Sequence, residues 1–257
     1  MNKLWIAGVA LTAAAAATLT PRTGQAFARY AASVESDFQR AQPFLDLESD
    51  PAAKRRVMAG ETVVRARHQM ENGKPLEIPD AQIQDWYGAA LLPCTLERAA
   101  QILQDYPNYK VYYKPDVTDS KLLSRQGNDF RVFLQLYRKQ ILTVVLNSYY
   151  SIHYQPESGK RLRIISRSTR ISEVKNGQET SPEDSYGFLW TLNSYWKLEE
   201  TPGGVIAECR ALSLSRDIPL GLGWLLRDFV KKFPRESMEH TLEGTRRAAA
   251  GNIVTLQ

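Results

Sequence analysis

The stretch YGFLWTLNSYWKLEETPGGVIAECRALSLSRDIPLGLGWLLRDFVKKFPRESMEHTLEGTRRA, Tyr186 to Ala248, decides the fold of this chain. Phe188 to Leu198 and Val205 to Leu214 are rich in aromatic and β-branched residues and predict two strands. Pro202-Gly203-Gly204 between them predicts a short turn, so the two strands pair antiparallel. Beyond Asp217-Ile218-Pro219, the residues Leu222, Leu225, Leu226, Phe229 and Phe233 form an apolar stripe at helical spacing. Pro234 is expected to break or kink that helix and to open a second segment, in which Met238, Thr241, Leu242 and Thr245 share a face.

Upstream the same signals recur. Val117 to Ser124, Asp129 to Arg138, Leu142 to Tyr154 and Lys160 to Val174 read as strands, separated by turns at Gln126-Gly127-Asn128, Arg138-Lys139-Gln140 and Glu157-Ser158-Gly159. Several run ten or more residues, which favours a strongly curved sheet. Before them, Thr95 is a predicted N-cap for the amphipathic helix Leu96 to Tyr106. Glu61 to Met70 and Ile83 to Leu92 read as earlier strands. Residues 29–58 are polar and Ala-rich, and fit two short helices broken near Pro43 and Pro51.

Composition sets the outer limits. The chain has 257 residues, 43% hydrophobic and 24% charged. This is a globular profile, which excludes collagen, disordered tails and polytopic membrane proteins. Residues 1–28 (MNKLWIAGVALTAAAAATLTPRTGQAFA) read as a secretory signal peptide. Lys3 gives the positive start, Leu4 to Leu19 the apolar run, and Ala26-Phe27-Ala28 a small-x-small cleavage site. The apolar run is short of the ~20 residues that span a bilayer, which favours a cut after Ala28 over retention as an anchor. The remaining chain is then expected in the periplasm or secreted. It divides into a helical N-terminal extension (29–59), one domain (60–250) and a C-terminal tail (251–257). Without the leader, 31 Lys and Arg face 28 Asp and Glu. That surplus fits mild attraction to an anionic surface and falls short of a nucleic-acid footprint.

Strand, helix, antiparallel meander and closing helix is the order of the helix-grip fold, and two stretches carry the likeness. TLERAAQILQDYPNYKVYYKPDVTDSKLL (Thr95 to Leu123) resembles the first helix and second strand of START-like domains, where a helix ends in an Asp-Tyr-Pro turn and a Pro-x-Val precedes the next strand. Tyr186 to Ala248 resembles their last two strands and closing helix. With RSTR at Arg167 to Arg170, it is also similar to a secreted bacterial subgroup of that superfamily (SRPBCC). The resemblance covers roughly residues 60–250. It implies an α+β helix-grip (START/Bet v 1-like) fold: a curved antiparallel sheet wrapped around a long C-terminal helix, with a cavity between them. Members bind lipids, sterols, quinones, polyketides or plant hormones there, and some are enzymes such as aromatase/cyclases, so the fold alone leaves function open. The implied topology pairs the first strand with the last. Cys94 then lies near Val205, and Cys209 is four residues further on, roughly 13 Å at ~3.3 Å per residue. This exceeds the reach of a disulfide, so two free thiols are expected.

No strong catalytic motif is present. His68, His153 and His240 are scattered and outside any metal-ligand spacing, and there is no GxSxG, GxxxxGK[ST] or GxGxxG. No metal and no cofactor are expected. In RLRIISRSTR (Arg161 to Arg170), Arg167 and Arg170 differ by an odd number and are expected on opposite strand faces. The ordinary reading is a solvated strand edge with ion pairs. The sharper one pairs Arg170 with Glu208 inside the cavity, because an isolated buried charge is costly.

In the implied fold, the apolar strand stripes double as core and cavity wall. The expected ligand-binding set is Leu226, Phe229, Met238 and Leu242 of the closing helix, facing Leu146, Tyr150, Trp190 and Leu192, with Arg170 and Glu208 as a polar spot. Entry is expected by movement of the helix or of the loop from Tyr109 to Pro115, whose Tyr109, Tyr112 and Tyr113 would touch a membrane transiently. The expected function is an exported START-like protein that binds a hydrophobic or amphipathic small molecule, such as a lipid or isoprenoid. It is taken as a monomer without nucleic acid. The alternatives are an envelope interaction protein with a collapsed cavity, or a cyclase or hydrolase using Arg170, Glu208, Tyr195 or His153 as acid and base.

Overall fold

The computed structural model describes residues 18–71, 74–76, 78, 80–139, 143–217 and 223–251. In chain order the elements are α1 (Pro21–Arg40), α2 (Pro51–Met58), β1 (Val63–Ala66), β2 (Met70–Glu71), β3 (Lys74–Pro75), β4 (Ala81–Leu92), α3 (Leu96–Gln104), α4 (Tyr109–Tyr112), β5 (Val117–Gln126), β6 (Asp129–Lys139), β7 (Thr143–Ser158), β8 (Arg161–Lys175), β9 (Gln178–Glu179), β10 (Thr191–Thr201), β11 (Gly204–Arg216) and α5 (Gly223–Ala249). Among the described residues the main sheet has nine strands in the order β1-β4-β11-β10-β8-β7-β6-β5, with β9 beside β8, and every pairing is antiparallel. This is the expected α+β helix-grip arrangement. Leu92 stands opposite Val205 and Gly88 opposite Cys209, and Cys94 and Cys209 are free thiols.

Local chemistry sets the helix ends. Thr95 Oγ1 accepts from Arg98 N at 3.3 Å and caps α3. Pro51 does not break a helix: it is the first residue of α2, capped by Asp50. Pro234 does not divide the closing helix either, because α5 runs through it unbroken to Ala249. The sheet's concave face receives α5 at Gly88. A Cβ there would lie 2.7 Å from Leu242 Cδ1 and 2.8 Å from Met238 Cγ, so only glycine lets the helix seat this closely.

The convex face is also covered. Helix α1 runs through Ala26, Phe27 and Ala28, its start capped by Thr20. Phe27, Tyr30, Ala31, Val34 and Phe38 pack on Ile165, Tyr195, Leu212 and Leu214. Phe44, Leu45, Leu47, Ala53 and Val57 cover Val63, Tyr87, Ala89 and Ile206. Each fully buried large side chain contributes about 1.5–3 kcal/mol, so the arm is an integral third layer.

Candidate functional site

A cavity of about 380 Å³ lies between the concave face and α5, within the ~300–1,000 Å³ range of small-molecule sites. Side-chain alternation builds its walls. Strands β6 and β7 contribute Leu134, Leu136, Val144, Leu146, Tyr150 and Ile152. Strands β8, β10 and β11 contribute Ile164, Leu192, Trp196, Cys209 and Ala211, together with the small hydroxyls Ser166, Ser194 and Ser213. Met238 closes the helix side. Burial pushes the Cys209 thiol well above its ordinary range, so it is a poor nucleophile.

Tyrosines form the floor. Tyr154 and Tyr109 donate to Leu103 O at 2.5 and 2.6 Å, Tyr106 and Tyr154 share a 2.8 Å hydrogen bond, and Tyr113 meets Thr245 Oγ1 at 3.0 Å. The Tyr109–Pro115 loop therefore turns Tyr109 and Tyr113 inward, and Tyr112 is tied to Asp105. Two of the three rings expected at the surface are thus turned inward, and Tyr112 stays half-exposed.

The opposite end reaches solvent, at Phe188, Arg216, Asp217, Phe233, Pro234 and His240. Here Arg138 pairs with Asp116 at 2.9 Å and with Glu236, and its guanidinium stacks on Phe233. His240 Nδ1 lies 3.0 Å from Asp116 Oδ2. Among the described residues, the charged side chains on the cavity wall all belong to this mouth: Asp116, Arg138, Arg216, Asp217 and His240.

Of the expected site residues, Leu146, Tyr150, Leu192 and Met238 meet on the cavity wall. Leu242 is buried one turn away, in the core against Gly88. Leu226 and Phe229 lie on α5, but their side chains fall outside the described residues. Three expectations are corrected. Trp190 precedes β10, where alternation does not apply, and packs toward the α1 cluster over Gly187, whose φ of +73° and closeness to the indole suit glycine alone. Arg170 and Glu208 do not pair. A register shift puts Tyr149 opposite Arg170 and Tyr150 opposite Ser168, so Thr169 is an inserted residue and Arg170 joins Arg167 on the outer face. Arg170 is solvated and pairs with Glu179 at 2.8 Å, while Arg167 meets Glu35 of α1 at 2.5 Å.

Glu208 is buried beneath the N-terminal arm. It accepts from Asp46 N at 2.9 Å, Leu47 N at 2.8 Å and Tyr87 Oη at 2.8 Å. Burial raises its pKa, and the two backbone donors oppose that rise. Asp85, fully buried under α1, takes the half-buried Arg210 through Nε at 3.0 Å and Nη2 at 2.6 Å, and Tyr30 Oη at 2.6 Å. Tyr195 also faces this outer layer, and His153 sits exposed beside Asp129. None of the four sequence candidates for acid or base therefore reaches the cavity. Alternation along β6 could have found Leu134 and Leu136. The Asp116–Arg138–His240 mouth joins three separate elements and has no sequence signal.

No protein-family profile and no curated protein matches the chain. Among solved structures, human StAR-related lipid transfer protein 5 is similar at 12% identity and a TM-score of 0.50, over 90% of this chain and 99% of that one. A STAR-related lipid transfer protein fragment from Xanthomonas axonopodis aligns at 17% identity and a TM-score of 0.46, over 68% and 96% of the two chains. Zhui aromatase/cyclase from a Streptomyces species aligns at 10% identity and 0.48, over 68% and 98%. With the nine-stranded sheet, the closing helix and the cavity between them, the first likeness shows that this chain has the START-like helix-grip fold.

Proposed function

We propose that this protein binds and carries a hydrophobic or amphipathic small molecule, a lipid, isoprenoid or similar compound, in the cavity between sheet and α5. The observation that carries this reading is an apolar chamber of about 380 Å³ whose charged groups stand only at its mouth. A ligand there gains from desolvation at ~25 cal/mol per Å² of apolar area, without a strong polar contact. The size of the chamber speaks against a collapsed cavity filled by side chains. The name of the human lipid-transfer neighbour agrees with a lipid-type cargo.

The reading includes export. Residues 1–20 keep the positive start and apolar run of a leader, and α1 begins directly after them. Because Thr23, Ala26 and Phe27 are buried in the folded domain, the leader of this reading ends ahead of Pro21 rather than after Ala28.

Native mass spectrometry of the protein purified from its own envelope, with organic extraction, tests the reading. A stoichiometric apolar compound is expected, and it should be lost in Ala211→Leu, which fills the chamber from β11. An apo mass, together with no binding of apolar fluorophores, would overturn it.

One observation favours a second reading. The His240–Asp116 pair is an oriented imidazole at the cavity mouth, an arrangement suited to moving a proton on a bound ligand. Hydrogen–deuterium exchange of the methyl group of 2-acetylnaphthalene, accelerated by the protein and not by His240→Gln, would favour an enzyme. Exchange at the solvent rate would leave a carrier.

A further inference from the structure

We propose that the Tyr150 hydroxyl is the polar subsite of the cavity, selecting ligands that carry an oxygen acceptor on the part that enters first and are otherwise neutral. This rests on the carrier reading above. Tyr150 is only 5% exposed, it lines the chamber, and among the described residues its hydroxyl makes no hydrogen bond within 3.5 Å, although the Ser148 hydroxyl lies close enough to act on it. Buried polar groups are almost always paired, and an orphan needs a reason. The tyrosines of the floor show the ordinary case: Tyr106, Tyr109, Tyr113 and Tyr154 all have partners. Tyr150 stands above them, and Ser148, two residues back on its own strand face, donates to Leu134 O.

The surroundings set the chemistry of the missing partner. Tyr150 shares its stretch of wall with Leu134, Leu146, Ile152, Ile164 and Trp196. Burial pushes its hydroxyl up to about 12, with the Ser148 hydroxyl opposing the rise, so at neutral pH it is a proton donor, and with Ser148 already committed to Leu134 O it wants a better acceptor. A carboxylate or phosphate would arrive without a countercharge, because Arg138 and Arg216 stand at the mouth, and a buried ion without a partner is very costly. A neutral carbonyl, ether or hydroxyl oxygen carries no such penalty. Tyr150 lies six steps along β7 from Val144 at the mouth, roughly 20 Å along the strand. The oxygen must therefore lead as the ligand enters. On the facing wall, Ser166, Ser194 and Ser213 add only neutral hydroxyls, which tolerate further oxygens on the same molecule.

The test uses two neutral probes of nearly equal shape, 2-acetylnaphthalene and 2-isopropylnaphthalene, with the full-length protein and its Tyr150→Phe variant. Affinity is read by fluorescence titration, and the ketone stretch of the bound probe by infrared difference spectra. Tyr150→Phe is expected to weaken the ketone about fivefold, the net effect of one hydrogen bond, and to leave the hydrocarbon within twofold. The bound C=O band should move up in frequency in the variant. The apo variant should melt at the same temperature or higher, since it loses an unpaired polar atom. Equal effects on both probes, no effect on either, or a lower apo melting temperature would overturn the subsite while leaving the carrier reading in place. If the wild type binds neither probe, the carrier reading falls and the subsite falls with it.

Discussion

Deleting one oxygen atom tests whether the N-terminal arm is a true layer of this fold. Tyr30 of α1 donates to Asp85 Oδ2 at 2.6 Å, and Asp85 is fully buried, with Arg210 as its charged partner. Burial, followed by the Asp85 carboxylate, raises the Tyr30 pKa far above the ordinary range, so the hydroxyl stays a donor at any working pH. Tyr30→Phe leaves the Asp85–Arg210 pair in place and removes a hydrogen bond to a charged acceptor, along with a long one of 3.5 Å accepted from Arg210 Nη2; the first costs about 1.5–3 kcal/mol. A chain of this size melts ~2–4 °C lower per kcal/mol, so Tm should fall by about 3–12 °C. Asp85→Asn strips Arg210 of its countercharge and should cost more, about 3–5 kcal/mol. In the double variant, the Tyr30 substitution should add much less than it does alone, because its acceptor has already changed. Thermal and urea denaturation at pH 7, followed by circular dichroism, read all four proteins. A Tyr30→Phe protein that melts within 1 °C of wild type would refute the reasoning: α1 would not be seated on the sheet in solution.

Three further outcomes follow from named contacts. Intact mass of the protein from its own envelope should place its first residue at or before Pro21, the start of α1. A chain beginning at Arg29 would have lost the buried Thr23, Ala26 and Phe27, and finding it as the stable form would contradict the docked α1. For Asp46, burial alone would raise the carboxyl, but Lys197 and Arg67, each at 2.7 Å, outweigh it and hold the pKa below the ordinary 3.8. A depressed folded-state value means stability present above 3.8 and lost as pH falls through the lower folded value. Asp46→Asn should therefore cost about 2 kcal/mol at pH 7, allowing for partial exposure, and the gap should close in acid below that value. A pH-independent gap would rule out the pairing. Gly88→Ala should overpack Leu242 and Met238 by about 1–3 kcal/mol and lower Tm by several degrees. A neutral result would mean that α5 seats elsewhere.

Much of this molecule is legible from order along the chain. The strands from Val117 to Leu214 and their turns, and the Thr95 cap, come from local signals: period-two alternation, Gly and Pro punctuation, and a capping hydroxyl; the meeting of the β4 end with Val205 comes instead from the resemblance to the helix-grip fold. Those signals also find part of the cavity wall, at Leu146, Tyr150, Leu192 and Met238, because a concave strand face and a helix stripe keep one residue type on one side. They fail where a single event changes parity or where burial comes from a distant segment. The inserted Thr169 moves Arg170 to the outer face, and a bulge of one residue leaves no mark in composition. Trp190 follows the alternation in sequence but precedes the strand in space. Glu208 reads as a polar residue in need of a cavity, because nothing local reveals that residues 42–58 lie across the convex face and bring two backbone N–H groups to it. The gathering of Asp116, Arg138 and His240 at the mouth depends on the same kind of long-range meeting. The sequence by itself determined which segments are strands and helices and which faces are apolar, since these depend on neighbours within a few residues. Tertiary structure decided what each face meets, since that depends on register, on a bulge and on an arm folded back across the sheet.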